Sequence, residues 1–562
     1  MDRLQHRLGQ RARRSPDVVS LIGATQDGKE VCLTARQLEA AIGAVAHQLE
    51  QSGVSHLGLL GHNSPDWLVA QLAAWRAGLP VTPIPAFFSE QQINHLLDTT
   101  GLDGLLLVQD DSLDAWLPSA RANDFKRQPL STGDSPDGLS IALFRRRSTP
   151  APLPDGTRLI TFTSGTTGTP KGVCLSGPHL ESVIEGLEQR LAGVPLHRHG
   201  VVLPLAVLLE HLAGALFALW RGAQIIVDAP LRTGLAGSGD LNPLQWRDWL
   251  ETRRPDSLIL VPALLKALCD LGGLGGLGGL DRSSGLDSQA SRPSDWQQAL
   301  SLVAVGGGQV PRYLLDQATQ LGLPVAQGYG MSEMGSVVCL SRPDEPQDGR
   351  VGRPLKGLRL STDEQGQLLV HGRRMLGYLT SYHDGPSSDM PWPSGDLGHR
   401  LADDHWRLDG RQRNVIILSS GRNLCPEWLE AELELIDGID RAFIFGEGLP
   451  GVLALLGPSA IIQPPRLEAH IAALNQRLPD YARVRGWQSL MRQLPGVAQP
   501  LSIASNELTA NGRLRRASIY LRRRRDIERL VASTFPGHQY VSAALSSSTD
   551  SSSSYPQDPS RP

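Results

Sequence analysis

Arg158-Leu159-Ile160-Thr161-Phe162-Thr163-Ser164-Gly165-Thr166-Thr167-Gly168-Thr169-Pro170-Lys171-Gly172 begins as a strand and ends as a loop suited to an anion. From Thr163 onward, five hydroxyl side chains, three glycines and one lysine fall within ten residues. Glycines let backbone N–H groups turn toward an anion, hydroxyls add donors, and Lys171 supplies a point charge. That is the chemistry of holding a polyphosphate. A plain solvated Ser/Thr/Gly loop is the competing reading, and the strand leading into it argues against that. A Walker loop is excluded, because it needs Gly-Lys followed by Ser or Thr. Here Pro170 precedes the lysine and Gly172 follows it.

Outward from the loop, apolar runs alternate with helical periodicity. Thr34 to Leu49 reads as an amphipathic helix opened by a capping box of Thr34 and Gln37, Leu57-Gly58-Leu59-Leu60 as a strand, and Pro65 to Gly78 as a helix. Strand signals recur at Ile225-Ile226-Val227, Ser257-Leu258-Ile259-Leu260 and Leu302-Val303-Ala304-Val305. Such alternation predicts an α/β fold, with parallel sheets covered by helices on both faces. Leu271 to Pro293, with Leu-Gly-Gly three times over, reads as a flexible insertion. Leu358 to Leu408 has the texture of a β-rich subdomain. Three segments are expected: a large N-terminal domain over 1–412, a small α+β domain over 413–535, and a disordered Ser-rich tail over 536–562. The Arg522 to Arg525 run reads as a solvated helix face beside Asp526 and Glu528.

Composition narrows the class. A chain of 562 residues is too long for one core. A formal charge of −3 leaves no electrostatic footprint for nucleic acid. Five cysteines, scattered and odd in number, predict reduced thiols and a cytoplasmic protein. Met1 to Arg14 is charged and lacks the apolar centre of a secretory signal. Val201 to Trp220 is apolar enough to suggest a membrane span, but Pro204, Glu210 and His211 interrupt it. A mid-span charge costs about 2.5–3.5 kcal/mol, so a buried strand followed by a core helix is expected, and no transmembrane segment.

Further motifs follow in order. Val303-Ala304-Val305-Gly306-Gly307-Gly308 is a strand ending in glycines, where a flat ring could approach the backbone, and Pro311 opens the next helix. Then come Gln327-Gly328-Tyr329-Gly330-Met331-Ser332-Glu333, Ser394-Gly395-Asp396-Leu397-Gly398, Gly410-Arg411-Gln412-Arg413-Asn414, and Ser419-Ser420-Gly421-Arg422-Asn423-Leu424-Cys425-Pro426-Glu427. In this order, and over roughly residues 20 to 525, they resemble the adenylate-forming superfamily of acyl-CoA synthetases, adenylation domains and luciferases.

The resemblance implies roles. Thr163, Ser164, Gly165, Thr166, Thr167 and Gly168 would cradle the phosphates of ATP with Lys171. Gly306, Gly307 and Gly308 would lie on the adenine side, with Tyr329 stacked on the purine and Gly330 in the same turn. Ser332 would face the phosphates or acyl adenylate, and Glu333 would hold Mg²⁺, a hard cation that takes oxygen ligands. Asp396 would accept from the ribose hydroxyls, joined by Arg411. Arg413 would stand at the hinge of a mobile small domain, where Asp or Lys is usual. Gly421 would allow passage of a thiol, either CoA or the phosphopantetheine of a separate acyl carrier protein. Val202 to Gly214 occupies the place of the acyl pocket. Its Leu203-Pro204-Leu205-Ala206 favours an apolar, fatty carboxylic acid, and His211 is either a pocket gate or a satisfied core histidine.

One signature departs from the pattern. The family's last motif carries a lysine that bridges carboxylate and α-phosphate; Asn511-Gly512-Arg513-Leu514-Arg515 fits the frame with Arg513 in its place. No lysine follows Lys356. Arginine keeps the charge but is a planar fork of different reach. The expected activity is ATP-dependent activation of the acid as an acyl adenylate, then transfer to a thiol. Loss of the adenylation step, leaving a thioester-forming half-reaction or a non-catalytic binding protein, stays open.

Overall fold

The chain is described from a computed structural model covering residues 1–24, 28–110, 112–128, 139–163, 171–236, 240–273, 295–379, 390–420, 422–436, 438–458, 464–490, 500–509, 512–536 and 538. Most of the Gly-rich insertion and the Ser-rich tail lie outside these residues. Two compact units emerge: Met1–Ser394 with Gly398–Leu408, and Gly395–Leu397 with the residues from Asp409 onward.

Local chemistry starts the elements where periodicity predicts. The helix Ala35–Gln51 is capped by Thr34, whose side chain accepts from the Gln37 N–H while the Gln37 side chain accepts from the Thr34 N–H. The strand Leu57–Leu60 is buried along its whole length. The next helix, Pro65–Arg76, has Pro65 at its first position and is buried from Pro65 to Trp75. A helix apolar on all sides belongs inside a domain, and this one contributes Trp67, Leu68, Val69, Leu72 and Trp75 to the largest apolar core.

The sheets are mixed rather than purely parallel. In one, Leu57–Leu60 lies parallel to Val81–Pro83 and Gly104–Val108, and Val81–Pro83 lies parallel to Thr157–Thr163. Its flanks are antiparallel: Thr157–Thr163 pairs with Lys171–Ser176, which pairs with Gly377–Tyr378. The reason is connection length. A parallel return needs a crossover of roughly a dozen residues or more, and only 164–170 separate the first two of these strands. The other large sheet has a parallel centre of Gln224–Ile226, Arg198–Gly200, Ser257–Leu260, Leu302–Val305 and Val325–Tyr329, then antiparallel Cys339–Leu340 and Arg350–Pro354.

Two expectations need correction here. The strand anticipated at Val201 ends at Gly200, and the helix after it is π-helical over Leu209–Leu216 before Phe217–Arg221 continues as an α-helix. Among the described residues, no helix is long and apolar enough to cross a membrane. The Arg522 to Arg525 run is also not a uniform solvated face. Arg523 is buried and forms an ion pair with buried Glu507, because it points inward at the junction of helices Arg516–Arg522 and Arg524–Thr534.

The second unit is a sheet of Ile439–Phe445, Val452–Pro458 and Val484–Ser489, flanked by helices. Alternation along its first strand serves two cores. Ala442 and Ile444 pack with Leu429, Leu433 and Ile471, while Phe443 and Phe445 pack with Ile527, Leu530 and Val531.

Candidate active site

The loop's frame is fixed at both ends. Thr163 stands opposite Lys171 and Phe162 opposite Gly172 in an antiparallel ladder. Ser164, Gly165, Thr166, Thr167 and Gly168 lie outside the described residues. A Cβ on Gly172 would stand 3.2 Å from atoms of Ile160, Phe162 and Leu379, so glycine admits a neighbouring strand here. That neighbour is Gly377–Tyr378. Leu376 N–H donates to the Cys174 carbonyl and Leu379 N–H to the Gly172 carbonyl, each at 2.8 Å.

Tyr378, which the sequence reading did not single out, then joins two candidate groups. Its phenol donates to Glu333 Oε1 at 2.9 Å, and Lys171 Nζ lies 5.1 Å from its ring centroid. Burial and the neighbouring carboxylate push the phenol's pKa well up, so it remains a donor. Glu333 sits in the short 3₁₀ turn Ser332–Met334, and its carbonyl accepts from Met375 N–H at 2.6 Å. His179 packs beneath Gly335 and is kept neutral by burial. Ser332 and Glu333 are both half-buried. Among the described residues no group of three or more His, Cys, Asp or Glu could hold a metal. A cation at Glu333 would therefore depend on oxygens brought by a ligand.

Beside this turn, the strands Leu302–Val305 and Val325–Tyr329 are each followed directly by glycine. A Cβ on Gly306 would meet only Leu209 at 3.5 Å and the Gly328 carbonyl at 3.7 Å, and Gly307 has φ +82°. Those at Gly306 are ordinary contacts, so packing does not force glycine there. At Gly330, by contrast, a Cβ would fall 1.6 Å from the Ser336 carbonyl oxygen. Tyr329 is buried, and Gln327 shares its face of the strand Val325–Tyr329. Gln327 Nε2 is buried without a hydrogen-bond partner. A flat heterocycle with an acceptor on its edge fits these groups.

The apolar segment after Gly200 is clamped by polar side chains. Asn63 Nδ2 donates to the Leu203 carbonyl at 2.9 Å, and Leu205 N–H donates to Asn63 Oδ1 at 2.8 Å. Glu210, fully buried, accepts from Leu203 N–H at 3.1 Å and contacts His199 Nε2 at 2.8 Å; His199 Nδ1 lies 3.1 Å from Ser257 Oγ. His211 lies on another side of the same helix. Its ring is T-shaped to Trp67 at 5.1 Å and stacked on Trp75 at 5.6 Å. Those are the surroundings of a core histidine, yet Nε2 has no partner, so it is not a satisfied one. Burial holds its pKa at about 3.

In the second unit, Arg411 Nε pairs with buried Asp396 Oδ1 at 3.0 Å. Gly410 has φ +149°, and a Cβ there would strike Cys425 at 2.5 Å. Arg413 is exposed on the turn Gln412–Asn414, and Gly421 lies outside the described residues. Arg513 is exposed on one arm of a short hairpin. Thr509 N–H donates to the Arg513 carbonyl at 2.7 Å, Arg513 N–H returns to Thr509 Oγ1 at 3.1 Å, and Leu508 bridges Leu514. Behind it Glu507 accepts from Arg523, Leu501 N–H and Ser505 Oγ, and its carbonyl accepts from Arg515 N–H.

Comparison with known proteins shows the family. Residues 8–381 match the family described as AMP-binding enzyme. The chain is 26% identical over 461 residues to a long-chain-fatty-acid–CoA ligase of Mycobacterium bovis, covering 70% of this chain and 72% of the relative. It is 24% identical over 472 residues to a feruloyl-CoA synthase of an Amycolatopsis species, covering 78% and 84%. Among solved structures, O-succinylbenzoate coenzyme A synthetase of Bacillus subtilis in complex with AMP superposes with TM-score 0.66 at 19% identity, over 91% of this chain and 97% of that one. At that identity the likeness concerns the fold.

Proposed function

The chain belongs to the AMP-binding enzyme family, within the adenylate-forming superfamily, and from that premise we propose that it activates an apolar carboxylic acid with ATP and passes the acyl group to a thiol. The observation that carries this reading is Tyr378, which touches both Lys171 and Glu333. A phosphate-seeking ammonium and a metal-seeking carboxylate thus meet at one side chain.

In the proposed first step, a carboxylate oxygen of the acid attacks the α-phosphorus of ATP. The bond to the β-phosphate oxygen breaks and pyrophosphate leaves. Lys171 would neutralise the phosphates, the Gln327 amide would meet the adenine edge, and Asp396 with Arg411 would take the ribose. Glu333 would hold Mg²⁺, which when bound supplies charge neutralisation at the phosphate oxygens. Arg513, in the place where the resemblance implies a lysine, would act at the α-phosphate. Positioning and charge complementarity would supply most of the rate. In the second step a thiol sulfur attacks the acyl carbonyl and AMP leaves, the acceptor being CoA or a separate carrier protein.

The apolar acid is supported by the clamped Leu203-Pro204-Leu205 segment, whose Leu203 and Leu205 are buried. It is supported further by relatives that include fatty-acid–CoA ligases. A cytoplasmic location goes with the five unpaired cysteines. The domain reading, 1–412 and 413–535, goes with the same proposal.

ATP–pyrophosphate exchange across saturated fatty acids of graded length and a set of aryl acids tests it. Exchange is expected, and strongest with a fatty acid. Exchange with aryl acids alone would overturn the substrate class. A second reading rests on Arg513. No exchange, with CoA-dependent consumption of synthetic acyl adenylate, would leave only the thioester half-reaction.

A further inference from the structure

Tyr378 is tied down more tightly than a contact residue needs to be. The segment Met375–Leu379 is bonded to the carbonyl of Glu333 at one end and to the carbonyls of Cys174 and Gly172 along its length. Tyr378 itself stands opposite Val173 in register. The strand that leaves the phosphate loop, the turn that bears Glu333 and this tyrosine are therefore one hydrogen-bonded assembly. Within it the phenol O–H donates to Oε1 of Glu333. The carboxylate is thereby fixed in rotation while Oε2 stays outside that bond. The opposite attraction acts on the ring face, where the Lys171 ammonium sits. Trp392, 6.5 Å from the ring centroid and itself beneath the Arg374 guanidinium, backs the tyrosine.

Resting on the nucleotide-site reading above, we infer that Tyr378 is a positioning residue for the adenylation step. It orients Glu333 toward the cation that accompanies the nucleotide, and it seats Lys171 through its ring. Its hydroxyl and its ring have separable effects. Partners that orient a metal's carboxylate typically change metal affinity by roughly 10- to 100-fold when lost. Tyr378→Phe removes the first contact and keeps the second; Tyr378→Leu removes both.

The test uses the full chain with a non-hydrolysable α,β-methylene ATP analogue and Mn²⁺ as the spectroscopic probe. Mn²⁺ affinity of the protein–analogue complex is read by electron paramagnetic resonance, and analogue affinity without metal by calorimetry. Tyr378→Phe is expected to weaken Mn²⁺ about tenfold and leave metal-free analogue affinity and KM for the acid unchanged. Tyr378→Leu should weaken the metal-free analogue as well. Unchanged Mn²⁺ affinity in Tyr378→Phe would overturn the inference, as would an equal loss of metal and metal-free binding. A cycle with Glu333→Gln, read on chains whose melting temperature matches wild type, gives a second test. The Tyr378→Phe change should have no further effect on Mn²⁺-dependent analogue binding in that background, and an undiminished effect would overturn the inference. A wild-type chain that binds neither probe would remove the nucleotide-site reading itself, a failure distinct from an unchanged variant.

Discussion

The phosphate-side cluster of the first unit and the Arg513 hairpin of the second are built on different plans. Lys171, Tyr378 and Glu333 hold one another through their side chains. Arg513 stands on a hairpin whose backbone is held from behind, by buried Glu507 paired with Arg523. The first plan couples its functional groups, so a change in one disturbs the rest. The second holds the backbone on either side of Arg513. Arg513 therefore sits on a backbone held by a neighbouring buried ion pair, Glu507 with Arg523.

The largest effect should come from breaking that frame. Arg523→Ala leaves Glu507 buried and unpaired and should cost about 3–5 kcal/mol, read as an earlier melting transition of the second unit. Replacing both partners by apolar residues should recover most of the loss. If Arg523→Ala melts like wild type, the hairpin is not held from behind.

Next come the coupled groups. Lys171→Ala and Glu333→Ala should each lower pyrophosphate exchange roughly 10²–10³-fold, as removal of one preorganised charge does. The double variant should fall short of the product, because the two share Tyr378. Full multiplicativity would separate them. Arg513→Lys is expected to raise the adenylation rate about tenfold, near 1.4 kcal/mol of barrier. No change in rate would place Arg513 outside the phosphate clamp.

Acid should separate the units too. His56 and His211 in the first unit are buried neutral, with pKa lowered to about 4 and about 3. The unfolded value is higher, near 6.5, so their stability is complete above that pH and is lost as pH falls toward the folded values. The slope is about 1.4 kcal/mol per pH unit for each histidine at most. Glu434 in the second unit runs the other way. Burial pushes its pKa up to about 7, so its share is complete below the unfolded value and lost as pH rises through 7. Melting curves at pH 5.5 and 7.5 should move the two transitions in opposite directions, and His211→Phe should flatten the first unit's acid slope.

What could be read from the chain followed the range of the interactions. The Thr34–Gln37 capping box and the strands at 57–60, 257–260 and 302–305 depend on neighbours a few residues away, and they stand where periodicity puts them. Glu333 and Asp396 were legible as motif residues. Tyr378 was not, because a Gly-Tyr pair in a two-residue strand carries no chemistry until Glu333, 45 residues earlier, is folded against it. Arg523 was hidden in a run of like residues, of which one turns inward. Gln327 opens a motif but was given no role, since only burial beside Tyr329 leaves its amide nitrogen without a partner. The antiparallel flank beside the loop could have been foreseen by counting the residues between Thr163 and Lys171.

In the proposed function this site joins an acid to AMP. Its most direct test is a single-turnover reaction with ATP labelled at the α-phosphorus, a fatty acid and no thiol, quenched and resolved for acyl adenylate. Labelled acyl adenylate should accumulate to about one equivalent per chain, depend on Lys171 and Glu333, and be discharged to AMP when CoA is added. Label recovered only as ATP, or as ADP, would contradict it.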